Sequence, residues 1–404
     1  MVPSSPVPMA PSPWPSQRPD QSGPLRTVLG LALLGPAALV ALISLVVPTI
    51  QTIRFSFQRG VSVLPIRGGR GLGAEFVGAD NYLDVLGTGG FWTSLGFTLS
   101  LAALPLLSAV VGAPLLAWVL DTAGPSPRRV GRLLMSVPLV LFAPVAFAAA
   151  WLTGMRDGGL ETAFGELGSP NSARVAVVVI SGLTTFGSVC GLALLGYLAV
   201  LRDRGKGRRV LPAALAVGGI AALATFAVSL QAFSLVYTMT RGGPARATET
   251  LSLFQFRHSF MAFDVGHGAA VATMTGLLLG VLGIAATVIA ITAALRIDLA
   301  PSERATAGAD RPGSPVAVLG AGAALAVVIA IVVIGAWPWL SALVSSADPR
   351  VPGPGSQADM RTYVNTWVPP LTSALVSVGA AFLAALGIGG LRPMGRHSEW
   401  LLLP

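Results

Sequence analysis

The chain has 404 residues, 53% of them hydrophobic and 11% charged, against about 25% charged in an ordinary soluble domain. Its 26 Lys and Arg outnumber 17 Asp and Glu for a formal net charge of +9. The basic residues stand at the ends of apolar runs and make no patch of the kind a nucleic-acid binder presents. Composition thus excludes a large soluble core and a nucleic-acid partner, and points to an integral membrane protein.

Residues 1–24 are rich in Pro and Ser and lack the apolar core of a signal peptide, so they read as a disordered cytoplasmic tail. A helix rises about 1.5 Å per residue, so about 20 apolar residues cross the hydrocarbon core of a bilayer. Apolar runs of that order recur along the chain. They cover Leu25–Ile53, Phe91–Leu120, Leu133–Leu152, Val175–Leu201, Val210–Val236, Val265–Leu295, Val316–Val344 and Leu371–Leu391. Prolines inside them, such as Pro36, Pro105 and Pro138, are compatible with membrane helices because neighbouring helices re-satisfy the backbone. The expected fold class is all-α and polytopic, with about eight transmembrane helices.

Placing the N-terminus inside puts the larger share of the basic residues on inner segments. Among them are Arg128, Arg129 and Arg132, the stretch Arg202–Arg209, and Arg296, Arg304 and Arg311. The positive-inside rule therefore favours a cytoplasmic N-terminus. The near-exclusive use of Arg over Lys, with abundant Ala, Gly and Pro, points to a GC-rich bacterial genome, and so to a bacterial cell membrane. Residues 297–315 are polar and rich in small side chains, which is linker composition. They divide a six-helix part, residues 25–296, from two further helices in residues 316–404.

Little in the chain suggests catalysis. Cys190 is the single cysteine and lies in an apolar run, as a small buried hydrophobe would. His258, His267 and His397 lack metal-ligand spacing with one another. No Gly-x-x-x-x-Gly-Lys-Ser/Thr occurs, so the chain does not cradle ATP by itself. Charges are nearly absent within the apolar runs, whereas an ion-coupled carrier places them there. On the fifth run Gln231, Ser234 and Tyr237 recur at a spacing that roughly shares a helical face, where they would line a polar path. The neighbouring Phe226 and Phe233 would stack on a sugar ring or pack against another helix.

Two segments carry a family resemblance. One is FVGADNYLDVLGTGGFWTSLGFTL, Phe76–Leu99, and the other FSLVYTMTRGGPARATETLSLFQFRHSFMAFDVGHGAA, Phe233–Ala270. Together they resemble the membrane subunits of carbohydrate-uptake ABC transporters of the maltose-transporter type. There an F-V-G-x-x-N-Y stretch leads to F-W-x-S-x-x-x-T, and T-x-G-G-P-x-x-x-T-E-T-L joins the last two of six helices. The resemblance implies a type I importer permease fold and a sugar delivered by an extracytoplasmic binding protein. It implies partnership with ABC ATPase subunits and a second permease subunit in the lipid bilayer. ATP would be hydrolysed by the partners, with no cofactor bound directly by this chain and no enzymatic site of its own. The T-x-G-G-P segment, with Gly242, Gly243, Pro244 and Glu249, would form a gate or a tight connector between helices. Gly242 and Gly243 permit positive φ, and Pro244 fixes the bend that follows. The segment NTWVPPLTSALVSVGAAFLAALGIGG, Asn365–Gly390, resembles the opening of the partner permease, as a fusion of two such subunits would.

The family's E-A-A-x-x-D-G coupling segment, which seats in the ATPase, is missing between the fourth and fifth runs. In its place are Arg202, Asp203, Arg204, Gly205, Lys206, Gly207, Arg208 and Arg209. As a helix that stretch would be only about 12 Å long, and its two glycines weaken it further. Either the loop makes a reduced, electrostatic contact with an ATPase, or it is a positive-inside anchor on lipid headgroups. The rival to an importer subunit is a degenerate permease no longer coupled to an ATPase.

Overall fold

The computed structural model describes residues 24–60, 74–157, 159–202, 210–293, 313–345 and 357–391. Among them seven helices are long and apolar enough to cross a membrane, or up to eight if a bent pair forms one span. The all-α, polytopic class expected from the apolar runs is the one observed. The helices are α1 (Pro24–Ala41), α2 (Val47–Ser56), α3 (Asp80–Gly87), α4 (Gly89–Leu107), α5 (Ala113–Thr122), α6 (Pro125–Leu141), α7 (Pro144–Asp157), α8 (Glu161–Phe164) and α9 (Pro170–Arg202). They continue as α10 (Val210–Leu230), α11 (Ser234–Met239), α12 (Leu251–Phe256), α13 (Val265–Thr292), α14 (Pro315–Ser345) and α15 (Gln357–Ala385). π-Helical turns at Leu42–Val46 and Ser108–Gly112 join α1 to α2 and α4 to α5. The described strands are β1 (Gln58–Arg59) and β2 (Glu75–Phe76), paired antiparallel.

The described residues form two compact units, one within 24–49 and 357–391 and the other within 50–345. Residues 297–312 of the expected linker lie outside the described residues. In the first unit α1 packs along α15, and the backbones come close where Gly387 meets Gly30: a Cβ on Gly387 would sit 2.7 Å from the Gly30 carbonyl oxygen. In the second unit α9 is the central helix, packed by α4, α5, α6, α10 and α14.

Between helices in lipid the hydrophobic effect supplies little, so close packing of small residues and buried hydrogen bonds carry the association. Gly191 lets α9 touch the α6 backbone, since a Cβ there would stand 2.7 Å from the Met135 carbonyl oxygen. Gly335 does the same for α14 on α9, at 2.5 Å from the Leu183 oxygen. The buried Trp151 indole fastens α14 further by donating Nε1–H to the Gly335 carbonyl at 2.8 Å. One buried cluster gathers Leu116, Leu120, Met135, Cys190 and Leu194, and a second gathers Phe97, Leu101, Trp151, Ile180, Val236 and Leu253. Large apolar side chains face outward along α13, Leu277 at 72% and Ile284 at 66% exposure, as a lipid-facing surface requires.

The structure revises two of the expected spans. The third run is not one straight helix: α6 and α7 meet at 81° across Phe142 and Ala143. A residue before proline is driven from the α region toward extended backbone. Ala143 precedes Pro144, and Phe142 is already extended at ψ 108°. Pro138 sits four residues upstream inside α6 without breaking it. The fifth run also breaks, between α10 and α11.

Candidate functional site

The two motif segments meet at one end of the second unit, called the rim. The first motif enters it through α3. Asn81 is fully buried and its Nδ2 donates to the carbonyls of Ser56 and Gln58, both at 2.9 Å. Tyr82 Oη and Ser56 Oγ share a hydrogen bond of 2.6 Å. These bonds tie α3 to the end of the first span. Arg59 pairs with Asp84 at 2.6 Å, and His267 Nε2 approaches the same carboxylate at 3.4 Å. His267 Nδ1 also lies 2.7 Å from Asp264, whose side chain accepts from the His267 backbone N–H at the start of α13.

The second motif folds into a compact loop over residues 240–250. Its positive-φ residues are Arg241 (52°), Gly242 (86°), Ala245 (47°) and Arg246 (60°), and the Gly243–Pro244 peptide is cis. Gly243 therefore does not use the freedom expected of it; the left-handed turn falls on Gly242 and on three non-glycine residues. A Cβ on Gly242 would lie 2.8 Å from Leu253 Cδ2, whereas on Gly243 it would meet only the Thr240 oxygen, at 3.4 Å. Thr248 Oγ1 donates to the Gly243 carbonyl and bonds Thr240 Oγ1, both at 2.7 Å. Thr250 caps α12 by accepting from the Leu253 N–H at 3.2 Å.

Two bonds dock this loop on the spans. The Leu251 N–H donates to Thr98 Oγ1 of α4 at 2.9 Å, joining the two motifs across 153 residues of sequence. Arg174, at the start of α9, donates its Nε–H to the Ala247 carbonyl at 2.7 Å. Between these elements lies a cleft of about 360 Å³ whose lining includes Thr93, Ser94, Asn171, Arg174, Arg246 and Glu249. A second cleft of about 560 Å³ shares Thr93 and Arg174 and has Phe97, Ser100, Val175 and Val178 on its walls.

Glu249 is 1% exposed and its Oε1 lies 3.1 Å from Arg257 Nε. Burial raises its pKa, against the Arg257 and Arg246 charges, which favour the carboxylate. Ser94 Oγ also favours the charged form, without making a well-formed hydrogen bond. His258 is shifted down, first by burial, with Asp264 opposing and His267, Arg246 and Arg257 reinforcing.

The expected pathway residues fare differently from one another. Gly242, Gly243, Pro244 and Glu249 come together in the rim loop, and Glu249 lines the smaller cleft. Gln231, Ser234 and Tyr237 share no continuous helical face, because the helix is interrupted between Leu230 and Ser234. Gln231 is exposed and donates back to the Ala227 carbonyl at 3.1 Å. Tyr237 stacks on Phe233 with centroids 5.1 Å apart, and both rings meet Phe256. Of Phe233's two expected roles, the structure shows packing. Neither cleft is lined by these three residues. Arg202 ends α9, while Asp203, Arg204, Gly205, Lys206, Arg208 and Arg209 lie outside the described residues. Sequence reasoning did not single out Thr98, Arg174 or Arg257. Thr98 is the threonine of the quoted F-W-x-S-x-x-x-T stretch, and Arg174 is the charge that opens the fourth apolar run.

A polytopic helical membrane protein with two sequence motifs bonded at one rim is the class that this fold defines. Its relatives narrow that class. The sulfoquinovosyl glycerol transport system permease protein SmoG of Agrobacterium fabrum is 26% identical over 271 residues, covering 61% of this chain and 85% of that protein. The trehalose/maltose transport system permease protein MalF of Thermococcus litoralis is 27% identical over 277 residues, covering 62% and 89%. Both are named as permease proteins of transport systems for sugars or sugar derivatives, the kind of protein the two motifs resemble. No family model matches the chain. Among solved structures, a bacterial ABC transporter involved in the import of the polysaccharide alginate aligns at TM-score 0.45 and 16% identity, over 67% of this chain and 96% of that one. A likeness of that degree adds no weight to the sequence relatives.

Proposed function

We propose that this chain is the membrane-spanning permease subunit of an ATP-driven importer, taking a sugar from an extracytoplasmic binding protein. The observation that carries the reading is the Thr98–Leu251 bond. It makes one structure of the two segments that resemble sugar permeases, at the end of the helical bundle where a delivered substrate would enter. The names of the relatives, one a trehalose/maltose and one a sulfoquinovosyl glycerol system, favour a carbohydrate. The chain's task is transport rather than catalysis. It lacks a phosphate-cradling Gly-Lys-Ser/Thr loop, so ATP is hydrolysed by partner ATPase subunits. A second permease subunit completes the pathway, and the N-terminus is cytoplasmic, as the Arg distribution favours. Gly242, Gly243, Pro244 and Glu249 shape the outer gate, and residues 316–404 form the opening of a second permease domain.

Co-purification tests this. The tagged chain is expressed with its neighbouring transport genes and extracted in mild detergent. An ATPase subunit and a second permease subunit are expected in the eluate. A folded, helical chain recovered alone would overturn the reading. One observation favours a second reading, a permease uncoupled from ATP: only residues 203–209 separate α9 from α10. In that case replacing Arg204, Lys206, Arg208 and Arg209 by Ser changes nothing in the eluate. In the coupled importer the same replacement releases the ATPase.

A further inference from the structure

The smaller rim cleft has a charge balance that the permease reading does not by itself require. Arg174 and Arg246 both line it, and Glu249 is the one acidic residue among its described lining. Glu249 is already matched by Arg257 at 3.1 Å. Arg246 also acts on the Glu249 carboxylate through its charge, so that one carboxylate faces two guanidinium groups beside that of Arg174, and the cleft keeps an excess of positive charge. Arg174 is aimed by its Nε bond to the Ala247 carbonyl, which leaves the outer nitrogens of its fork for another partner. Arg246 is held at φ 60° next to Ala245 at 47°. Two successive non-glycine residues in the left-handed region are strained, and such strain persists where the surroundings fix it, often at ligand clamps. Ser94, in the cleft lining, is 1% exposed; its buried Oγ makes no well-formed hydrogen bond, although it favours the Glu249 carboxylate. A buried hydroxyl without a well-formed hydrogen bond is uncommon in native structures.

We propose that this cleft binds the acidic group of an anionic saccharide, a carboxylate or sulfonate, between Arg174 and Arg246, with Ser94 donating to an oxygen of the same group. This deepens the importer reading and rests on it. The planar fork of arginine suits flat, multi-oxygen anions, and such charge-assisted bonds are about twice as strong as neutral ones. The adjoining cleft of about 560 Å³ continues past Thr93 with Phe97, Val175 and Val178 on its walls. It offers apolar surface to the C–H faces of the sugar ring, while Ser100 and Thr93 meet ring hydroxyls.

The test uses the full chain with its native partner subunits in nanodiscs, without binding protein. The probes are a galacturonic acid trisaccharide and its fully methyl-esterified form, which keep one scaffold and differ in charge. Binding of each is measured by calorimetry at about 50 mM salt. The acid form is expected to bind about tenfold tighter, a preference that shrinks severalfold at about 300 mM salt as the charges are screened. In R246Q, which removes a guanidinium with no bond to the loop, the preference is expected to fall below about threefold; R174Q should act alike. Equal binding of acid and ester, binding of neither, or a preference unchanged in R246Q overturns the proposal. Recovery of an ATPase subunit in the same preparation is scored separately. If it is recovered and the acid preference is absent, the anionic site falls and the importer stands. If it is not recovered, the importer reading fails first.

Discussion

The two connections that flank the fifth span differ in kind. At the rim, residues 240–250 build a structure of their own. Thr240, Thr248 and Thr250 spend their hydroxyls on the loop, Thr98 and Arg174 bind it from two other spans, and Glu249 is buried beneath it. At the other end of α10, residues 203–209 supply four basic residues, one acid and two glycines, and no apolar residue to pack. A connection with buried polar groups has one arrangement that satisfies them, because each unpaired group costs about 1–3 kcal/mol. A short run of charged residues and glycine offers a partner no apolar side chain, only its field. The comparison sets a rim held by buried polar bonds against a link whose sequence offers charge and no apolar packing.

The largest effect is expected where the rim backbone has least freedom. In G242V a Cβ would enter within 2.8 Å of Leu253 Cδ2 at a φ of 86°. Together these should cost about 3 kcal/mol or more and abolish uptake. G243V has an ordinary φ and a contact at 3.4 Å, so it should cost under about 1 kcal/mol. Thermal unfolding followed by tryptophan fluorescence in detergent compares the two. Equal losses would mean that the loop, rather than its left-handed turn, is what valine disturbs.

Removing Arg257 comes next, and its effect depends on pH. Glu249 has a raised pKa in the folded protein, so its contribution to stability is full at low pH and is lost as pH rises through the folded pKa. Arg257 limits that loss by favouring the carboxylate. R257M should therefore sit near wild type at about pH 4 and fall progressively below it toward pH 8, by about 2–3 kcal/mol. A deficit independent of pH would assign Arg257 a packing role instead.

Much of this was legible in the sequence, and the exceptions have physical causes. Long apolar runs report spans directly, because lipid demands them. The rim loop was legible as a unit because it resembles the T-x-G-G-P-x-x-x-T-E-T-L stretch of sugar permeases, with Gly and Pro as its turn chemistry. The break at Phe142 was not foreseen: Pro138 and Pro144 look equivalent in a hydropathy profile, yet only Pro144 ends a helix. The shared face of Gln231, Ser234 and Tyr237 assumed an unbroken helix, which the chain abandons at Phe233 (φ −131°). The Arg174 bond to Ala247 spans 73 residues, and no local pattern announces a partner that distant.

T98V should act on the rim alone. Valine keeps the shape of threonine but offers no oxygen to the Leu251 N–H, a buried donor at 2.9 Å. The expected cost is about 1–3 kcal/mol, with unfolding of the rim ahead of the spans. Hydrogen exchange would register it as faster exchange at residues 251–256 and unchanged protection along α9. Uniform loss of protection would show that the two motifs are cooperative with the whole bundle, which would weaken the contrast between the ends.

The smallest effect on stability is expected at the link, and it separates the two ends most sharply. Replacing Arg204, Lys206, Arg208 and Arg209 by Ser leaves Gly205 and Gly207 in place and removes only charge. Because the segment holds no apolar side chain, the melting temperature should move by no more than about 0.5 kcal/mol equivalent allows. Its consequence should instead appear in assembly: ATPase recovery that falls in the quadruple variant and is weakened in the wild type by raising salt. A link that works through its field must show both, since screening and neutralisation are the same perturbation at different strength. Lost recovery with no salt dependence would mean that the link is read by shape after all, and the two ends of the fifth span would then follow one rule.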